Sequence, residues 1–438
     1  MDLNKRWTLV EAFFRERGFV SQHLDSFNSF IERGVQRIID EVKEIDPTDY
    51  KYKIPKSLKE EKLILKFGKV SFGKDNKAVP ESVEVQGTKI APTPMEARIR
   101  DLTYATPMFC EATPYIEGEP QETKVVQIGY MPIMVRSCIC PTSKLSKDML
   151  VEIGEDPEDP GGYFIINGSE RVLVTIEDLT PNKIFVEVNK RHSTVVDTVK
   201  VFSRRMGFRS LVVVERRKGD LFYVKFPSLP TNILAVIVMR ALGLESDKEI
   251  MEAVSTDPEK MRIVLENIEE NEEIQTTEDA LDYIGKKVVT RQAKEFRIDR
   301  AKQILDNYLL PHIGVDPEDR IRKAYFLGRM IRTGIEFYMG ERGEDDKDHY
   351  SNKRLRLAGD LMEDLFRVAF RNLVKDIKYQ MIRASKRGKK IDPDSVIRKD
   401  LLESRILHAL ATGNWPGGRT GVSQLLDRTN YISALSHL

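Results

Sequence analysis

Apolar residues recur at three- and four-residue intervals through Leu361, Leu365, Phe366, Ala369, Phe370, Leu373, Val374 and Ile377, the repeat of one face of an α-helix. Gly359-Asp360 precedes this run and Glu363 lies three residues beyond Asp360. That spacing predicts a helix start in which Asp360 caps the first amides and Glu363 reaches back. The stretch from Arg383 to Lys390 is too polar for a core and predicts a loop. Residues 8–40 and 231–242 also read as helices, the second ending at Gly243, where a left-handed cap fits. Strand patterns occupy Leu63 to Phe72, Lys183 to Phe202 and Ser210 to Phe226, the last folding back around Lys218-Gly219-Asp220. A second hairpin is signalled by Tyr163-Phe164-Ile165-Ile166, then Asn167-Gly168, then Val172-Leu173-Val174, because Asn-Gly accepts the positive dihedrals of a tight turn. Strands and helices do not alternate regularly, so the expected fold class is α+β, mixed and multi-domain. The 438 residues are enough for two to four domains at roughly 100–200 residues each.

The formal net charge of +1 conceals two opposite segments. From Leu244 to Asp282 there are 14 Asp/Glu against 3 Lys/Arg, whereas from Lys347 to Lys390 there are 13 Lys/Arg against 5 Asp/Glu. The basic side is the candidate for nucleic acid. Within it Arg367, Arg371, Lys375 and Lys378 fall on one helix face opposite much of the apolar stripe, which fits either a phosphate-facing surface or a solvated one.

Other chemistry is mostly excluded. No run approaches the ~18 apolar residues of a membrane span, and no apolar stretch follows the basic pair at the N-terminus. The expected location is the cytoplasm. Cys110, Cys138 and Cys140 are too few for a disulfide framework or a four-thiolate zinc site. There is no phosphate-binding glycine loop, no HExxH pair and no GxSxG elbow. The cluster Glu344-Asp345-Asp346-Lys347-Asp348-His349 contains carboxylates of the kind Mg²⁺ prefers, but consecutive carboxylates point in different directions, and a solvated loop or helix start accounts for them better. The residues alone describe a large protein with an acidic module, a basic module and no self-contained catalytic constellation, which favours a component of a larger machine.

Several blocks are more specific. Val20-Ser21-Gln22-His23-Leu24-Asp25-Ser26-Phe27-Asn28, then Arg98 to Pro107 (RIRDLTYATP), then Gly162 to Glu170 (GYFIINGSE) resemble the second-largest subunit of cellular DNA-dependent RNA polymerases. Asp345-Asp346-Lys347-Asp348-His349 through Lys353-Arg354-Leu355 to Ala358-Gly359, and Ala409 to Trp415 with Gly421-Val422-Ser423-Gln424, resemble its archaeal and eukaryotic branch. The likeness runs in order over nearly the whole chain and covers the N-terminal part of that subunit, which some archaea encode as two chains. The family block in which Leu438 lies continues with Arg-Arg and the second half of the subunit.

The resemblance implies a protrusion made of residues 1–177 and 345–393, a lobe inserted at 178–344, and the start of the fork at 394–438. It implies a non-catalytic role in one wall of the DNA cleft and part of the RNA–DNA hybrid site. By the same resemblance the basic helix with Arg367, Arg371, Lys375 and Lys378 lies beside the cleft. Gly421 to Leu438 resembles the bacterial segment that lines the hybrid, with Gln424 expected to contact the transcript, Arg428 and His437 to supply charge and hydrogen bonds, and Asn430 to hold the loop. Leu425 and Tyr431 replace residues typical of bacteria, so antibiotic binding does not carry over. The family's catalytic Mg²⁺ is held by an NADFDGD-type motif on the largest subunit, which has no counterpart here, so no cofactor is expected on this chain and the isolated chain is expected to be inactive. Expected partners are the largest subunit, the C-terminal half of the second-largest subunit, other polymerase subunits, template DNA and nascent RNA. The alternatives are a scaffold of the same fold that binds protein through its acidic lobe, and a metal-dependent nuclease built on Asp345, Asp346 and Asp348.

Overall fold

In a computed structural model of the chain, residues 3–42, 44–49, 63–73, 80, 83–85, 88–188, 195–270, 273–289, 292–388 and 392–438 are described. They form two units, Met1–Ile176 with Leu355–Leu438, and Glu177–Arg354.

The first unit opens with α1 (Leu3–Arg17), α2 (Ser21–Ser29) and, after a π-helical turn over Phe30–Gly34, α3 (Val35–Asp40). The single helix expected over 8–40 is interrupted at Gly18, whose φ of +69° places it in the left-handed region that ends helices. Strands β1 (Ile64–Phe72), β2 (Ala105–Ile116) and β3 (Lys124–Pro132) form an antiparallel sheet with β2 between its neighbours. The short helix α4 (Pro94–Ile99) has a full capping box, with Thr93 accepting from the Glu96 amide and Glu96 from the Thr93 amide. The expected Asn-Gly hairpin joins β4 (Phe164–Ile166) to β5 (Ser169–Leu173), with φ +49° at Asn167 and +74° at Gly168.

The second unit contains a five-stranded antiparallel sheet in the order β6 (Ile184–Val188), β7 (Val195–Arg205), β8 (Phe208–Arg217), β9 (Phe222–Lys225) and β10 (Ile233–Leu234). The turn between β8 and β9 is the one expected at Lys218-Gly219-Asp220. Residues 189–194, within the stretch expected as one strand, lie outside the described residues. The helix expected over 231–242 begins only at Ala235, because Ile233 and Leu234 pair with Val224 and Tyr223 and so complete the sheet. Helices α5 (Ala235–Ala241), α6 (Asp247–Val254), α7 (Pro258–Glu269), α8 (Thr277–Val288), α9 (Lys294–Tyr308) and α10 (Arg320–Tyr338) follow, and the acidic segment occupies α6 to α8. Alternate β-branched residues on β7 and β8, including Val199, Val201, Val212 and Val214, share a core with Leu327, Ile331 and Ile335 of α10.

The chain returns to the first unit with α11 (Ala358–Lys386), α12 (Lys399–Thr412), β11 (Ser423–Leu425) and α13 (Tyr431–His437). The apolar stripe of α11 is buried as its periodicity predicts, and Phe366 stacks on Phe370 at 5.9 Å while Phe30 and Phe67 pack against the two rings. Two expectations for this helix need correction. It begins earlier than Asp360, whose carboxylate sits in the first turn and accepts the Leu357 amide at 3.3 Å. It also runs through much of the expected loop to Lys386, because buried Met381 and Ile382 extend the apolar stripe; Lys389 and Lys390 lie outside the described residues.

Helices α2 and α11 meet at a glycine. Gly359 donates its amide to Ser26 Oγ at 3.0 Å, and a Cβ there would collide with the Ser26 carbonyl. Gly359→Ala is therefore expected to destabilise the first unit by about 1–3 kcal/mol, the usual cost of overpacking. Gly343→Ala, where a Cβ meets nothing within 4 Å, should stay within about 0.5 kcal/mol. Thermal unfolding followed by circular dichroism checks both, and equal midpoints for the two variants would contradict the close approach.

Candidate nucleic-acid interface

The segment from Ser423 to His437 is positioned by the hairpin of β4 and β5. Strand β11 adds to it antiparallel, with Ser423 opposite Leu173 and Gln424 opposite Val172. Leu426 then donates its amide to the Glu170 carbonyl at 3.0 Å. Beyond it Asp427 organises the loop: its carboxylate accepts from the Ser433 hydroxyl, the Thr429 hydroxyl (2.6 Å) and the Thr429 amide (2.9 Å). These donors hold its carboxyl down at about 2, the Ser433 bond contributing most. Asn430 caps α13 by accepting the Ser433 amide at 2.7 Å.

His437 accepts the Asp427 amide on Nδ1 at 3.1 Å, which leaves the ring proton on Nε2. Nε2 lies 3.2 Å from Gln424 Oε1 and donates to it. Gln424 sends one amide hydrogen to the Gly421 carbonyl at 3.1 Å. Its side chain is exposed, and a primary amide has a second hydrogen for another acceptor. Gln424 and His437 are thus brought together, while Asn430 caps the helix that carries His437.

Arg428 has a different task. Its Nε and Nη2 each donate to the Glu170 carboxylate at 2.8 Å, and Arg98 Nε donates to the same carboxylate at 2.8 Å. Both guanidiniums lie near the Tyr163 ring, Arg428 at 5.3 Å and Arg98 at 5.7 Å from its centroid. Burial would raise the Glu170 carboxyl, but the hydrogen bonds and charges of Arg428 and Arg98 hold it below its ordinary value. Arg428 therefore braces the segment. Arg98 and Glu170 were not singled out by sequence reasoning, although each stands within a block that carries the family resemblance.

On α11 the four basic residues separate. Arg367 is only 4% exposed. It donates through Nη1 to Glu41 Oε1 and through Nη2 to Glu363 Oε1, both at 2.7 Å. Its place on an open basic face is thus corrected: the carboxylates of Glu41, just after α3, and Glu363 hold Arg367 inward, although it shares a helix face with Arg371 and Lys375. Arg371 and Lys375 are exposed and Lys378 is half-buried. Asn372, Lys375, Asp376 and Tyr379 of α11, with Leu401, Ser404 and Arg405 of α12, line an open groove of about 570 Å³. Sequence reasoning missed Arg405 because α12 had not been recognised as a helix.

The acidic cluster in the second unit is engaged with its own backbone. Asp345 accepts the Val186 amide at 2.9 Å and pairs with Arg342 at 2.8 Å, while Glu344 accepts the Val188 amide at 3.1 Å. Among the described residues no group of three or more His, Cys, Asp or Glu is placed to hold a metal ion, and no helix is long and apolar enough to cross a membrane.

A family model described as RNA polymerase beta subunit matches residues 18–404. The DNA-directed RNA polymerase subunit Rpo2 of Saccharolobus solfataricus is 49% identical over 441 residues, covering 100% of this chain and 38% of that protein. The subunit Rpo2N of Methanocaldococcus jannaschii is 50% identical over 439 residues, covering 98% of this chain and 84% of that protein, and its counterpart from Halobacterium salinarum is 45% identical with 82% covered. The chain thus spans little more than a third of the long relatives and most of the shorter ones.

A carboxyl held below its ordinary value stabilises the fold above that value, and the contribution is lost as pH falls through the lowered one. Glu170→Gln should therefore weaken the anchorage of β11 and α13 at neutral pH by about 1–3 kcal/mol, the range for a charged hydrogen bond. The difference from the unmodified chain should shrink below the ordinary value of 4.5. Amide hydrogen exchange of residues 423–437 across that range measures it; a pH-independent difference would contradict the assignment.

Proposed function

The chain belongs to the RNA polymerase beta subunit family, and from that premise we propose that it is a non-catalytic part of the second-largest subunit of a DNA-dependent RNA polymerase of the archaeal type. In this reading residues 178–344 form the lobe, 1–177 and 345–393 the protrusion, and 394–438 the start of the fork. The chain forms one wall of the DNA cleft and part of the hybrid site. It works in the cytoplasm with the largest subunit, the C-terminal half of the second-largest subunit, the other polymerase subunits, template DNA and nascent RNA.

The observation that carries the reading is the braced segment 423–437, which presents the exposed amide of Gln424 held by His437. A group that must meet a moving transcript gains from a fixed orientation, because little freedom is then lost on contact. Gln424 contacts the transcript, His437 and Asn430 hold it in place, and Arg428 secures the whole segment to Glu170. Arg371, Lys375 and Lys378 face phosphates of the DNA, and Arg367 fixes the helix that bears them. Nucleotide addition uses Mg²⁺ held mainly by the largest subunit, where it neutralises charge developing on the transferred phosphate. This chain contributes alignment.

Two measurements in the assembled enzyme test the proposal. Gln424→Ala should change elongation rate or transcript retention several-fold without preventing assembly; no change in either would remove Gln424 from the transcript. Arg371→Glu with Lys375→Glu should flatten the dependence of log K for DNA on log salt by about 2, close to 0.9 for each phosphate that is no longer neutralised. An unchanged slope would place both residues away from DNA.

A further inference from the structure

None of the residues from Val20 to Asn28, a block that carries the family resemblance, is among those proposed to meet nucleic acid. The block meets the start of α11 instead. The first amides of a helix have no partner inside it, and in α11 two of them are satisfied from α2. Ala358 donates to His23 Nδ1 at 3.4 Å, and Gly359 donates to Ser26 Oγ at 3.0 Å.

His23 is only 7% exposed, and its Nε2 lies 3.1 Å from the Thr175 hydroxyl. An Nδ1 that accepts an amide hydrogen carries no proton of its own. The ring proton therefore sits on Nε2 and is donated to Thr175 Oγ1. The two partners flank the places where the chain leaves the first unit, at Ile176, and returns to it, at Leu355. One neutral imidazole thus ties the departing chain to the first turn of α11.

We propose that His23 is a proton-sensitive clamp on the root of α11, closed while its ring is neutral and released when the ring takes a second proton. Protonation of Nδ1 turns an acceptor into a donor, so two N–H groups would face each other and Ala358 would lose its partner. The new charge would also lie at the N-terminal end of a helix of 29 residues, where the helix dipole is itself positive. Burial acts in the same direction and holds the ring below its ordinary value of 6.5.

The charged side chains of the surrounding elements do not offset these effects. On α2, Asp25 is exposed to solvent, where its charge is screened. At the start of α11, Asp360 accepts the Leu357 amide, Glu363 pairs with Arg37 and Arg367, and Asp364 pairs with Arg356. Along the chain that carries Thr175, Glu170 takes Arg98 and Arg428, and Glu177 takes Lys353. Arg171 on the same stretch is a cation and would oppose a charged ring.

The released state takes up its proton near 6.5 and the closed state only below it, so the closed state loses stability as pH falls through 6.5. At neutral pH the clamp is shut. Under acid conditions the first turn of the helix that bears Arg371 and Lys375 loosens.

The test is amide hydrogen exchange of the full chain, expressed as protection factors for peptides covering residues 355–361. His23→Gln is the comparison, because its side-chain amide can accept from Ala358 and donate to Thr175 without titrating. Between about pH 7.5 and about pH 5.5, protection in the unmodified chain should fall by up to about ten-fold, and in His23→Gln by less than about two-fold. Nitrogen-15 NMR of the unmodified chain labelled at histidine gives a reading that needs no variant: His23 should be the Nε2–H tautomer at neutral pH and titrate below 6.5. Protection over 355–361 that ignores pH in the unmodified chain, or that follows pH equally in His23→Gln, would overturn the clamp. So would a His23 ring that titrates at or above its ordinary value, or one that carries its proton on Nδ1.

Discussion

One carboxylate shared by two guanidiniums holds an edge of the first unit together. Glu170 lies on the β4–β5 hairpin, Arg98 at the end of α4 and Arg428 in the loop after β11, and both guanidiniums lie beside the ring of Tyr163. Taking a carboxylate out of water costs several kcal/mol unless charge and hydrogen bonds compensate, and here two guanidiniums supply both. The consequence is mechanical. A strand of three residues and a helix of seven, too short to be stable alone, are fixed at defined positions, so Gln424 and His437 have one orientation.

The same distinction between charges that brace and charges that remain outward runs through α11. Arg367 lies inside, bound to Glu41 and Glu363, and secures the helix to α3. Arg371 and Lys375, one and two turns farther along, are exposed. A basic stripe in sequence thus resolves into one structural ion pair and a shorter surface, and only the latter is suited to counterion release on a nucleic acid.

Much of the fold was legible because it is locally encoded. The stripe of α11, the Asn167-Gly168 hairpin and the turn at Lys218-Gly219-Asp220 follow from periodicity and from residues that accept positive φ. What escaped was set by distant partners. Glu41, 326 residues from Arg367, decides that this arginine turns inward. Val224 and Tyr223 draw Ile233 and Leu234 out of an expected helix and into the sheet. The site was legible in the same measure: the family-like blocks contain Gln424, Asn430 and His437, but the pairing of Arg428 with Glu170 across 258 positions exists only once the chain is folded.

We propose that this chain acts inside a larger enzyme, with the braced segment 423–437 at the hybrid. Native mass spectrometry of the tagged chain, purified gently from its own cells, tests it most directly. The account predicts a multi-subunit assembly that includes a chain with the NADFDGD-type motif together with the remainder of the second-largest subunit. A monomer, or a complex lacking those partners, would contradict it.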